Sequence, residues 1–248
     1  MKPKIYAMIL ARIGSQRLKY KNLALIDKKP MIYYAIKAAK ESSCFNKIFI
    51  NSDHKIFSKI AKRYKVNFYQ RAKKLGGSNI KSDRIVHDFM KNIPEPDILV
   101  WVNSIAPFQT ASEIKAIVSF FSRKKIDSLI TVKNNKLHCN FNKKPLNYSK
   151  DSRFSKTQDL KEVQTFVYSL MMWKRKSFMK KYKKDKNAIL CGKTYFYPVK
   201  NLSTIIIKKF DDLKLANYVM KFKSTKFVLQ YDKILKKKDC FDGKKNKS

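Results

Sequence analysis

Glycine is scarce, with five residues in 248. A Walker phosphate loop needs a glycine-rich run ending in Gly-Lys-Ser/Thr, and a dinucleotide turn needs three glycines at fixed spacing; neither pattern occurs. Cysteine is equally thin. Cys44, Cys139, Cys191 and Cys240 stand far apart, with no Cys-x-x-Cys pair and only His54, His87 and His138 to complete a metal set. That distribution points away from a zinc site or a disulfide framework and toward ordinary thiols. No apolar run approaches the roughly 18 residues of a membrane span. The lysines of Met1–Leu10 come without a long apolar segment or a small-residue cleavage site, so a cytoplasmic location is expected.

Acidic residues are also few: 18 Asp and Glu against 57 Lys and Arg, for a formal charge of +39. Forty-nine of the 57 basic residues are lysines and eight are arginines. Lysines spread over nearly every segment form solvated faces, whereas specific nucleic-acid readers cluster guanidinium groups on one element. A specific nucleic-acid partner is therefore not expected, although the field attracts nucleotides and other polyanions.

What is present fits one large α/β unit with a small appendage. Residues 1–232 are expected to form that unit, and 233–248 a lysine-rich tail that frays. Ile5–Leu10 is a continuous apolar run suited to a buried central strand. A helix is expected to begin at Pro30, with Ile32, Ala35, Ile36 and Ala39 in one stripe. Lys47–Asn51 reads as a strand, and Ser52 or Asp53 is placed to cap a helix carrying Ile56, Phe57, Ile60 and Ala61. Val66–Tyr69 is a third strand, and Ile85, Val86, Phe89 and Met90 mark another helix. Ile98–Val102 is a buried strand; Thr110 and Glu113 have capping-box spacing ahead of a helix bearing Ile114, Ile117, Val118 and Phe121. Ser128–Val132 follows as a strand.

This β-α order predicts a three-layer, open and mostly parallel sheet with helices on both faces. Periodicity fades over 133–163, a polar excursion toward a sheet edge or a partner subunit. It returns in Phe166–Met172, a helix near Ser177–Tyr182, Lys193–Tyr197, and a helix from Asp211 or Asp212 with Leu213, Leu215, Ala216, Val219 and Met220. Phe227–Leu229 is a candidate short edge strand.

Ligands of open α/β sheets sit at the carboxyl ends of central strands, which gives weight to the residues after Leu10. Gly14 is a point where a missing Cβ allows close approach to a ligand. Arg12, Arg17 and Lys21 offer cations, and Ala11, Ser15 and Asn22 share the same turn. Residue chemistry alone leaves two readings open, an anion-binding loop or a solvated basic turn.

The segments ARIGSQRLKYKNL and DKKPMIYYAIKAA resemble the nucleotide-binding signature of the CTP-dependent acidic-sugar cytidylyltransferases, and the acylneuraminate branch in particular. The likeness continues in family order through KIFINSDHKIFSKIAKRYKV, SIAPFQTASEI, KIDSLITV, SKTQDL, CGKTYFYPV and FDDLKLA. It implies a nucleotide-sugar transferase-like fold, a homodimer with 133–163 as an exchanged arm, and CTP as substrate in nucleotide-sugar biosynthesis. The implied reaction is attack of an acidic nonulosonic sugar on the α-phosphorus of CTP, giving a CMP-sugar and pyrophosphate.

By the same resemblance, Arg12 and Lys21, with Arg17, contact phosphates, and Ser15 and Asn22 contact triphosphate or ribose. Arg71 and Ser82 fall near the base and ribose, Asn103 offers an amide to substrate, and Gln158 with Asp159 orients the acceptor or joins a subunit contact. Tyr168 reads as core rather than as a site residue.

Several positions depart from the pattern. The family's Ile-Asp-Ile-Asp-Thr, whose carboxylates hold magnesium, is matched by Ile205, Ile206, Ile207, Lys208 and Lys209. Hard oxygen donors are thereby removed rather than exchanged. Gln109 stands where relatives carry arginine, Ile105 and Ala106 where they carry hydroxyls, Gln16 where they carry lysine, and Gln164–Thr165 where they carry Asn-Gly. A relative that binds nucleotide or sugar-nucleotide with impaired catalysis is the alternative these changes raise.

Overall fold

The first strand sets the layering of the computed structural model, which describes residues 2–151, 153–222 and 228–229. In β1, Ile5–Ala11, alternate side chains point to opposite faces. Ile5, Ala7, Ile9 and Ala11 pack with helices α1 (Met31–Ser42), α2 (Ile56–Tyr64) and α4 (Ala111–Arg123), whereas Tyr6 and Met8 pack with α3 (Ser82–Asn92) and α5 (Arg175–Asp185). Because both faces are covered, the strand needs no polar positions, and Ala7, Met8 and Ile9 are fully buried.

The central sheet is completed by β4 (Lys47–Ser52), β5 (Asn67–Gln70), β6 (Ile98–Val102), β7 (Ser128–Asn135), β10 (Val163–Lys174) and β11 (Thr194–Pro198), in the order β11-β7-β10-β6-β1-β4-β5. Four neighbouring pairs are parallel, and β10 runs antiparallel to both β6 and β7. The exception has a local cause. Among the described residues between β7 and β10 no α-helix crosses the sheet, so the chain returns beside the strand it left, and adjacent strands joined in that way pair antiparallel.

The expected three-layer α/β architecture is thus present. Among the described residues between β7 and β10, the expected excursion contains the hairpin of β8 (Asn140–Phe141) and β9 (Lys144–Pro145) and a 3-10 turn at Thr157–Asp159, while its ends, 133–135 and 163, belong to β7 and β10. Its apolar residues Leu137, Phe141, Leu146 and Phe154 are exposed, Phe154 by 77%.

A second hairpin, β2 (Leu25–Ile26) with β3 (Lys29–Pro30), turns through Asp27 and Lys28 at positive φ. It is tied to the last helix, α6 (Phe210–Phe222): Asn217 Oδ1 accepts from Asp27 N–H at 3.0 Å, and Asn217 Nδ2 donates to Leu25 O at 3.3 Å. Ile26, Met31, Phe108, Ile207, Leu213 and Ala216 form the small core beneath them. The basic loop after β1 is therefore anchored at its far end by the carboxyl-terminal part of the fold.

Three local expectations are corrected. Neither Ser52 nor Asp53 caps α2: the first helical N–H, on Ile56, donates to His54 Nδ1 at 3.1 Å, and Ser52 Oγ accepts from His54 N–H. Tyr168 is not core; it sits at φ 57° within the register shift between Phe166 and Met171 and is 39% exposed. Val228 and Leu229 lie outside any strand, while Phe227 and the 233–248 tail lie outside the described residues. Thr110 does cap α4, its Oγ1 accepting from Glu113 N–H at 3.2 Å.

Candidate functional site

From β1 the chain moves outward to β4 and β5, then returns to β6 on the other side of β1. Strand order reverses there, and a cleft lies at the carboxyl ends of the two strands. Leu10 and Ala11 from β1, Trp101 from β6 and Asn103–Ile105 beyond it line that cleft with Arg12, Ser15, Lys21, Asn22 and Arg71. Leu75, Ile80 and Ile85 supply an apolar wall, and Gly76 and Gly77 complete it.

Arg71 ties strand ends together beneath the cleft. Its side chain is 2% exposed; Nη1 donates to Asn51 O at 2.7 Å and Asn51 Oδ1 at 3.0 Å, and Nη2 donates to Ala11 O at 2.9 Å and Asp53 Oδ1 at 3.3 Å. Gly76 is required beside this pair, since a Cβ there would lie 2.2 Å from Asp53 Oδ2. Asn22 is held under the loop by a 3-10 turn, Lys21–Leu23, with its Oδ1 2.8 Å from Ser104 Oγ, which also lies 3.1 Å from Leu10 O. Asn103 Nδ2 donates to Tyr168 O at 3.0 Å.

Six buried side-chain polar atoms lack a partner among the described residues, and three of them, Ser15 Oγ, Arg71 Nε and Trp101 Nε1, belong to residues lining this cleft. Buried polar groups are ordinarily paired, because leaving one unpaired costs about 1–3 kcal/mol. Half of the unmet hydrogen-bonding capacity thus gathers where a polar ligand has room to enter.

The charge is equally one-sided. Burial, then Arg17, Arg12 and Lys208, bring the Lys21 ammonium down to about 8, with Asp212 opposing. Arg17 lines an adjoining cleft with Lys133, Thr165, Phe166, Val167, Thr204, Ile206, Lys208, Lys209 and Asp212. Lys21 in the first cleft lies within electrostatic reach of Arg17 and Lys208 in the second, and two nearby aspartates already hold partners. Asp53 pairs with Arg71, and Asp212 Oδ2 accepts from the N–H groups of Lys208 at 2.8 Å and Lys209 at 2.9 Å.

The structure therefore brings Ala11, Arg12, Ser15, Lys21, Asn22, Arg71 and Asn103 into one cleft and sets Arg17 at its neighbour. Three expected site residues are not brought in. Gly14 lines neither cleft, and a Cβ there would meet nothing within 4 Å, so packing does not require glycine. Ser82 opens α3 outside the lining, which Ile80 and Ile85 supply instead. Gln158 is exposed in its 3-10 turn, and its backbone carbonyl accepts from Lys136 Nζ at 3.0 Å. Sequence reasoning missed Trp101, Ser104, Asn51 and Asp53. The carboxyl-end rule that singled out the loop after β1 applies equally to β4 and β6 and finds all four.

Magnesium, expected from the resemblance, does not fit the residues present. Among the described residues no group of three or more His, Cys, Asp or Glu side chains is placed to hold a metal ion. Lys208 and Ile206 stand in the cleft lining where the family pattern has carboxylates, and Asp212, which also lines it, caps α6 through Oδ2.

A cytidylyltransferase family model matches residues 6–234. The chain is 25% identical over 128 residues to N-acylneuraminate cytidylyltransferase A of Danio rerio, covering 52% of this chain and 30% of that protein. It is 30% identical over 134 residues to post-translational flagellin modification protein B of Campylobacter coli, covering 52% and 57%. It thus spans less than a third of the first of these curated relatives.

Among solved structures, CMP:2-keto-3-deoxy-manno-octonic acid synthetase complexed with CTP superposes with a TM-score of 0.69 at 12% identity, over 89% of this chain and 99% of that one. 4-Diphosphocytidyl-2C-methyl-D-erythritol synthase from Anaerococcus prevotii superposes at 0.63 and 14%, over 88% and 96%. At these identities the likeness is one of fold. Among the described residues no helix is long and apolar enough to cross a membrane.

Proposed function

The chain belongs to the cytidylyltransferase family, and from that premise we propose that it binds CTP at the carboxyl ends of β1 and β6 and transfers CMP to an acidic nonulosonic sugar. The observation that carries this reading is the cleft that combines unpaired Ser15, Arg71 and Trp101 atoms with the cations Arg12 and Lys21. A nucleotide presents both chemistries needed there, phosphate oxygens for the cations and polar base and ribose atoms for the unpaired groups.

In the proposed reaction the anomeric hydroxyl oxygen of the sugar bonds to the α-phosphorus, and the bond from that phosphorus to the bridging oxygen of the β-phosphate breaks. Pyrophosphate leaves with the electron pair, and the hydroxyl proton passes to water. Arg12 and Lys21 offset the charge that grows on the leaving group, with Arg17 beside them; donors already in place stabilise such charge without reorganising. The far side of the adjoining cleft, with Lys133, suits the sugar carboxylate. Gln158, remote from both clefts, is assigned to a subunit contact. Exposed Leu137, Phe141, Leu146 and Phe154 on the same excursion support a homodimer; sedimentation should give twice the chain mass, and a monomer at working concentration rejects the dimer.

The test is incubation of the folded protein with CTP and a panel of nonulosonic acids, followed for pyrophosphate release. Turnover that Arg12→Ala abolishes is expected. CTP binding without turnover by any sugar in the panel assigns the impaired binding relative, the reading that Ile206 and Lys208 favour, and absence of binding rejects both.

A further inference from the structure

Where Ile205–Lys209 runs into α6, we infer that lysine takes the place of a divalent ion: the ligand is the metal-free triphosphate, held by Arg12, Arg17, Lys21 and Lys208. The inference rests on the CTP reading above and specifies the ionic form in which that nucleotide binds.

Alternation along the segment decides what the cleft sees. Ile207 is fully buried, its N–H donating to Ile105 O at 2.9 Å, and Ile205 packs against the same small core. Ile206 and Lys208 therefore face the adjoining cleft with Arg17. Ile206 has no donor atom. Lys208 brings a positive charge near enough to Lys21 to act on it together with Arg17 and Arg12.

The carboxylates nearest this segment already hold partners with which a hard cation would compete. Asp212 Oδ2 takes two backbone N–H groups at the start of α6, Asp211 lies 3.5 Å from Lys209 Nζ, and Asp53 is bound to Arg71. A divalent ion entering here would meet lysine and arginine cations, and would share each nearby carboxylate with a partner it already holds. The uncomplexed triphosphate, more negative than its magnesium complex, meets the same cations with opposite sign. Lysine serves as a point charge for phosphate, and a flexible ammonium at residue 208 reaches oxygens without the fixed geometry an ion would impose.

Calorimetric titration with CTP, in EDTA and then in excess magnesium chloride at matched ionic strength, tests this. Binding in EDTA should be at least as tight as in magnesium. Lys208→Ala should weaken the EDTA affinity by about tenfold, on the scale of one lost charge-assisted contact, without moving the urea midpoint, because the Lys208 ammonium is not among the capping groups. Lys208→Asp should reverse the order, so that magnesium strengthens binding. Wild-type binding that magnesium strengthens, or Lys208→Ala binding like wild type in EDTA, overturns the inference and leaves the CTP reading standing. No CTP binding under either condition overturns the CTP reading itself.

Discussion

Arg71 holds the ends of β1, β4 and β5 together, and its Nε is buried without a partner beside the cleft that the residue lines. Replacing it by methionine strips partners from Asn51 O and Ala11 O and leaves Asp53 as an uncompensated carboxylate. Breaking such a buried pair costs about 3–5 kcal/mol. Urea unfolding of Arg71→Met should show a loss of that order, with CTP binding lost as well. Lys21 carries a pH signature. Its folded value of about 8 lies below the ordinary 10.5, so between those values the unfolded chain holds the proton and the folded chain does not. Stability from this group therefore rises with pH across that window. Unfolding curves should find wild type disadvantaged relative to Lys21→Met near pH 7.5, and the gap should narrow toward pH 9.5. Phosphate pulls the other way: CTP binding near pH 8 should take up protons, seen as a dependence of binding enthalpy on the buffer's ionisation enthalpy.

Helix ends in this protein are closed by different chemistries, and their value depends on what the helix carries. Thr110 caps α4, whose Ile114, Ile117, Val118 and Phe121 are buried against the sheet. Thr110→Ala should cost about 1 kcal/mol, a fall of ~2–4 °C in melting temperature for a domain of this size, with CTP affinity unchanged because Thr110 lines neither cleft. Asp212 closes α6 by reaching back to two N–H groups with Oδ2, and those bonds fix how its carboxylate is turned toward the cleft it lines. The Thr110–Glu113 spacing was enough to find the first cap. The closure of α2 by His54 was not legible, because Asp53, the stronger candidate by residue type, is drawn away by Arg71, a partner that follows β5.

Across the whole molecule the net charge of +39 works against the compact state and in favour of anions. Sodium chloride should therefore raise the melting temperature while lowering the affinity for CTP, since screening weakens both the self-repulsion and the attraction. Affinity that is unchanged by salt would remove the cleft cations from the binding account. The sequence by itself determined the layers: continuous apolar strands and striped helices can bury their surfaces only in an α/β/α stack, and the position of Arg12, Ser15, Lys21 and Asn22 after a central strand marked the cleft. Only the tertiary structure decided that β10 runs antiparallel, that Tyr168 is exposed at a bulge, that Gly14 is free of packing while Gly76 is not, and that Gln158 stays away from both clefts. Those outcomes turn on which distant segments meet. Periodicity records how one segment alternates between faces, whereas the partners of Asp53, Arg71 and Asp212, and hence whether a carboxylate is left for a metal, are set by contacts between elements.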